Sequence, residues 1–194
     1  MIIEEPKVQV IDIKSPVKKI EWCGKVCWDS RSNITESSAL PFVKGLVTAG
    51  HTSVLEHARI SVPICVINGY LNTSSAEIPY GLFSRLIKVD KSYNINVRDY
   101  INIGGSVDDL DLYKNACDYV TVEFRTDRAI CAELCRHREF SFTQSSTRYI
   151  KYKDSVPVCL PVPFDWASDE DSDLYKLWYK GCKDASDLYY KMIQ

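Results

Sequence analysis

A chain of 194 residues with 45% hydrophobic and 26% charged residues and a formal net charge of −2 is long enough to bury a core without staples and is expected to form one domain spanning its whole length. The slight acidity argues against a general nucleic-acid binder, which would be basic, and no apolar run approaches the roughly 18 residues that a membrane span needs. Met1 to Pro6 is acidic where a secretory leader would be basic and then apolar, so a cytoplasmic protein is expected. In that setting the eight cysteines read as reduced core residues rather than disulfides. Cys23/Cys27 and Cys131/Cys135 have the spacing that puts both thiols on one helical face.

Lys7 to Ile13 reads as a short strand and Lys18 to Trp28 as a helix. Thr35 can cap a second helix through Leu40, Val43, Leu46 and Val47, although Pro41 argues for a later start, and Gly50 ends it. Arg59 to Ile67 has strand composition, with Pro63 demanding an edge or a bulge. The segment from Asn68 to Asp118 is punctuated by Gly69, Gly81, Gly104 and Gly105; helix is expected over Tyr80 to Val89 and over Asn96 to Ile103. Tyr119 to Arg125 alternates valine and phenylalanine with polar residues, as a half-buried antiparallel strand does. Thr126 or Asp127 then caps a helix from Arg128 through Leu134. Ser168 to Gln194 opens on a Ser-x-x-Asp cap and continues as an amphipathic helix. The chain stops inside that pattern, without a capping glycine or a later proline, so the sequence reads as cut short.

Between Arg125 and Lys153 seven Lys/Arg face three Asp/Glu, a local balance of +4 in an acidic chain. Within this region, Glu133 to Tyr149 holds three arginines, one histidine and a cluster of hydroxyls. That concentration calls for an anionic ligand: arginine offers a planar, permanently charged fork of donors that suits phosphate or carboxylate oxygens. On a continuing helix Arg136 and Arg138 would diverge by about 200° and could serve only separate ligands. Ser146 has no general base near it in sequence and reads as a ligand rather than a nucleophile. His51 and His57 fit no zinc-protease spacing, so metal-dependent hydrolysis is not expected.

Arg136-His137-Arg138, then seven residues, then Ser146, with Arg148-Tyr149 following, resembles the signature of the flavin-dependent thymidylate synthases. His51 to His57 resembles an upstream segment of the same family. The resemblance covers Lys18 to Val66 and Tyr119 to Gln194 and implies an α+β fold of the thymidylate synthase-complementing type, an antiparallel sheet packed against helices. It marks 68–118 as an insertion. It also implies an enzyme, a methyltransferase that reductively methylates dUMP to dTMP with methylenetetrahydrofolate, taking reducing equivalents from NADPH through FAD.

On this resemblance the flavin contacts are Ser53, Arg136, His137, Arg138 and Gln144, and the nucleotide contacts are Glu133, Arg136, Gln144, Ser145, Ser146, Thr147 and Arg148. Glu56 and His57 are expected to hold the two motifs together rather than to move protons. The family's catalytic arginine lies in later segments that this chain lacks, so no catalytic residue is assigned. No metal, membrane or nucleic-acid partner is implied, and a homotetramer with shared sites is. Asn96-Val97-Arg98 resembles an Asn-x-Arg element that the family carries near its C-terminus, although surface decoration is the plainer expectation. Thr143 stands where asparagine is frequent, and neither Gln144 nor Ser145 is the usual glutamate, which puts nucleotide recognition in question. Two alternatives stand beside the enzyme: a diverged or truncated relative that binds flavin or nucleotide without turnover, and a single-stranded nucleic-acid binder using Phe140, Phe142, Tyr149 and Tyr152 among the basic residues.

Overall fold

The computed structural model describes residues 1–71, 86–116, 119–161 and 169–193. It is of the α+β class, and its chain divides into two compact units. The larger comprises Ile11–Thr121 and Glu139–Ile150; the other comprises Met1–Val10, Val122–Arg138 and Lys151–Gln194.

In the larger unit, helix α1 (Pro16–Gly24) starts as its sequence dictates, with Pro16 in the first turn and the Ser15 hydroxyl accepting from the Lys18 amide. It ends earlier than expected. Val26, Cys27 and Asp29 close tight turns onto Cys23, Gly24 and Val26, and Asp29 takes φ 48°. Cys23 and Cys27 therefore do not share one helical face. Gly24 is required where α1 meets α2 (Ala39–Thr48), because a Cβ there would sit 2.9 Å from the Phe42 ring. Helix α2 starts at Ala39, with Ser38 rather than Thr35 at the N-cap position and its hydroxyl bonded to the Thr35 backbone instead of capping, so that Pro41 falls in the first turn where its missing amide is harmless.

The end of α2 sets the position of the upstream histidine segment. Gly50 adopts φ 74°, its amide bonds to Val47 O at 3.1 Å and the His51 amide to Leu46 O at 2.9 Å. That pair of bonds is a Schellman closure, which turns the chain directly into a 3₁₀ segment over Thr52–His57. Val54, Leu55 and His57 point inward from it.

Four antiparallel strands follow in the order β4-β5-β3-β6: β3 (Arg59–Pro63), β4 (Ile87–Val89), β5 (Ser92–Asn96) and β6 (Lys114–Asn115). Strand β3 is central, yet Pro63 breaks no ladder there. Strand β6 reaches only Ile60 and Ser61, so Pro63 needs a partner only on the β5 side, where it faces Ser92. Beyond Pro63 the expected strand is not found. Ile64–Tyr70 forms helix α3, with Pro63 as its N-cap residue and Ile67 fully buried. Of the helix expected over Tyr80 to Val89, residues 80–85 lie outside the described residues and Ile87–Val89 is strand, hairpinned to β5 through Asp90 at φ 50°. The β-branched Ile87 and Val89 alternating with Lys88 fit a strand better than a helix. Helix α4 (Val97–Asn102) matches the expectation over Asn96 to Ile103.

The core of this unit joins α1, α2, the 51–57 segment and the sheet through Ile20, Val43, Leu55, Ile60, Val62, Ile67, Ile95, Val97, Tyr100 and Leu110. The 86–116 stretch supplies Ile95, Val97, Tyr100 and Leu110. It therefore belongs to the interior, not to the decoration of the surface.

In the other unit, β1 (Ile2–Glu4) pairs in parallel with β8 (Pro157–Cys159). A second ribbon joins β2 (Lys7–Ile11) to β7 (Thr121–Arg125). The expected half-burial of β7 is not seen: Val122 and Phe124 are exposed, as are Val8 and Val10 on β2. Helix α5 (Arg128–Leu134) is capped by Asp127, whose carboxylate accepts from the Ala129 and Ile130 amides. Helix α6 (Asp173–Ile193) opens at Ser172, whose hydroxyl accepts from the Tyr175 amide. The cap expected at Ser168 lies outside the described residues. No helix among the described residues is long and apolar enough to cross a membrane.

Candidate functional site

The Glu133 to Tyr149 stretch is divided between the two units, with the boundary between Arg138 and Glu139. Each part has its own geometry.

In the larger unit, the upstream segment is stitched to the stretch just before Gln144. The Ser141 hydroxyl donates to Glu56 Oε2 at 2.7 Å, and His57 Nε2 lies 2.6 Å from Thr143 Oγ1. Glu56 Oε1 also takes Arg98 Nη1 at 2.5 Å, and the Tyr119 hydroxyl donates to the Glu56 carbonyl at 3.2 Å. Glu56 and His57 thus do hold the two motifs together, and the Thr143 that departs from the family pattern is the group His57 grips. Burial lowers the His57 pKa from its ordinary 6.5, against the raising effect of the Glu56 charge. Burial likewise pushes Tyr119 up to about 12, with the bond to Thr121 acting the other way. Both groups stay neutral near pH 7, as structural hydrogen-bonding partners do.

Residues Gln144 to Tyr149 lie on the turn that follows α1. The Ser146 amide donates to Cys27 O at 3.3 Å, the Gln144 backbone bonds to the Cys27 thiol, and the Tyr149 ring meets Trp28 at 5.4 Å. Burial raises the Cys27 pKa, with the Gln144 bond opposing it. Ser146 organises its own turn: its hydroxyl accepts from the Arg148 amide at 3.3 Å and its carbonyl from the Tyr149 and Ile150 amides. Gln144, Ser145, Thr147 and Arg148 are exposed around this seat, and Ser53 is exposed in the upstream segment. The result is a pinned turn that presents hydroxyls and one guanidinium to solvent.

In the other unit, Glu133 closes helix α5 while Arg136, His137 and Arg138 lie beyond its last turn. The helix ends because the Arg136 and His137 amides bond back three residues, to Glu133 O and Leu134 O. The divergence argued for a continuing helix therefore does not apply to Arg136 and Arg138. Both are exposed, and Arg136 is held only by a 3.4 Å pair with Glu133. Carbonyls at a helix C-terminus favour cations, which suits the guanidinium groups of Arg136 and Arg138 just beyond it.

Exposed hydroxyls and guanidinium groups are a donor set that can take an anion, and one comparison bears on this part of the chain. Residues 117–194 match the family model of the thymidylate synthase complementing protein. The match takes in all of Glu133 to Tyr149, and the His51 to His57 segment lies outside it. No curated protein and no solved structure matches the chain. The match makes residues 117–194 similar to that family, and the upstream segment touches the matched part through Ser141 and Thr143.

Sequence reasoning missed three groups that build this site. Cys27 and Trp28 seat the 144–149 turn, and Arg98 buttresses Glu56. The aromatic pair had a sequence signal, since Trp28 and Tyr149 are large rings in polar surroundings. Arg98 had only its Asn-x-Arg context.

Proposed function

We propose that this chain is a flavin-dependent thymidylate synthase, a methyltransferase that converts dUMP to dTMP with methylenetetrahydrofolate as carbon donor and NADPH as reductant. The observation that carries the reading is the pinned 144–149 turn inside the matched family segment: exposed hydroxyls of Ser145 and Thr147 beside the Arg148 guanidinium are the donor set that a nucleotide phosphate needs. In this reading Gln144, Ser145, Ser146, Thr147 and Arg148 bind dUMP, and the resemblance names Glu133 and Arg136 as further nucleotide contacts.

FAD is assigned to the remaining donors: Arg136, His137 and Arg138 are exposed, as is the Ser53 hydroxyl. The resemblance adds Gln144 to the residues that would hold it. When bound, FAD supplies hydride chemistry that no side chain here can. The chain's own part is binding and orientation: guanidinium groups stabilise negative charge on phosphate or on the flavin pyrimidine edge, and the clamp from Glu56 and His57 keeps the nucleotide turn in place. In this reading the protein positions the reactants and supplies no covalent nucleophile.

A homotetramer is part of the same reading. The exposed Val8, Val10, Val122 and Phe124 of one ribbon, with Leu174, Leu177, Leu188 and Met192 on α6, offer apolar surface of the kind that subunit contacts cover. None of the seven described cysteines is in a disulfide, which suits the reducing cytoplasm.

The test is a visible spectrum of the purified chain with FAD, then with NADPH under anaerobic conditions, with and without dUMP. Bound flavin whose bleaching responds to dUMP is the expected outcome. Flavin bound without a dUMP response points to a relative that binds but does not turn over. Absence of flavin binding overturns the reading.

A further inference from the structure

We infer that Arg98 is a positioning residue for the nucleotide turn, acting through Glu56 on Ser141, so that the 86–116 stretch is part of the binding machinery. The placement of Arg98 is set before its side chain does anything. Asn96 Oδ1 accepts from the Asp99 amide at 2.8 Å and Asn96 Nδ2 donates to Asp99 Oδ2 at 2.5 Å, both buried. The Val97 amide donates to Ala58 O at 2.9 Å, and the Val97 side chain is fully buried. Asn96 also faces Arg59 across the β3–β5 ladder. The start of α4 is thus locked to the residue that follows His57, and Arg98 emerges from that lock beside Glu56.

The carboxylate of Glu56 is divided between two neighbours, Oε1 to Arg98 at 2.5 Å and Oε2 to Ser141 at 2.7 Å. Its side chain is 25% exposed and that of Arg98 40%. A pair this open contributes little to global stability. Its effect is directional. While the guanidinium holds one oxygen, the other is aimed at Ser141; without it the carboxylate can rotate to water and release Ser141. Ser141 and Thr143 immediately precede the turn at Gln144 to Tyr149, so their anchoring decides how narrowly that turn is held.

The ligand arm of the test rests on the function proposed above, and the exchange arm does not. Hydrogen exchange by mass spectrometry is compared for wild type, R98A, R98K and E56A in the full chain, and dUMP affinity is measured by calorimetry with FAD present. In R98A, peptides covering 139–150 should exchange several-fold faster, with the unfolding midpoint and the other peptides unchanged, and dUMP should bind about tenfold more weakly, roughly 1.4 kcal/mol. R98K should recover part of both. In the E56A background, R98A should change neither. Unchanged exchange over 139–150 overturns the inference, as does an R98A loss of dUMP affinity that persists undiminished in E56A, which would mean direct contact with the ligand. Faster exchange in R98A together with no dUMP binding by wild type supports the positioning role and overturns the proposed substrate. If R98A does not fold, R98Q carries the same comparison.

Discussion

Glu56 and His57 direct their polar atoms inward, to Ser141, Arg98 and Thr143, while Arg136 and Arg138 stand exposed beyond a helix end. Both regions come from motifs of one resemblance, yet their physics differs. Inward groups are satisfied by the fold and would disturb it if lost. Outward groups are satisfied only by water, one surface pair or a ligand, and can be removed with little structural effect.

The largest break in that contrast comes from the apolar side of the upstream segment. Leu55 is fully buried, so Leu55→Ala should cost about 3 kcal/mol in urea unfolding. Arg136→Ala should stay within about 0.5 kcal/mol of wild type in the same experiment while weakening flavin and dUMP binding. A large stability loss in Arg136→Ala would erase the distinction between the regions. Next in size, His57→Ala removes a 2.6 Å partner of Thr143 inside the core rim and should cost about 1–3 kcal/mol; Thr143→Ala in that background should then add little.

Acidification sharpens the comparison without a mutation. The folded pKa of His57 lies below its ordinary 6.5, so the unfolded chain binds the proton first as pH falls. Stability from this group is intact above about pH 6.5 and declines below it, through the folded pKa. Urea midpoints measured from pH 7.5 downward should fall more steeply in wild type than in His57→Gln. Equal slopes would remove His57 as the cause. The smallest effect is expected on α6, where the exposed Lys183–Asp187 pair should make Lys183→Ala worth under about 0.5 kcal/mol.

Much of this was legible in the sequence because local chemistry decided it. The Asp127 cap, the stop at Gly50, the α4 helix and the linking role of Glu56 and His57 all rest on a few adjacent residues or on one resemblance. What was not legible depended on distant partners. Ile64 to Ile67 has the composition of a strand, and only the short reach of β6 explains why the chain can coil into α3 after Pro63. Trp28 shows nothing of Tyr149 until the 144–149 turn packs against the turn after α1. Arg98 looked like surface because its importance lies in Glu56, 42 positions earlier. The exposed face of β7 fails the rule of alternation for another reason: period-two patterning shows that one face is apolar, not what covers it.

The larger unit is discontinuous, leaving off at Thr121 and resuming at Glu139, and the His57–Thr143 contact spans 86 positions. Closing a loop of that length costs about 4 kcal/mol in chain entropy. Helix α2, the 51–57 segment and the sheet can form while the ribosome still holds residue 143, and the nucleotide turn cannot. During synthesis the Cys27 and Trp28 seat is therefore made first and stands open until residues 144–149 arrive to fill it.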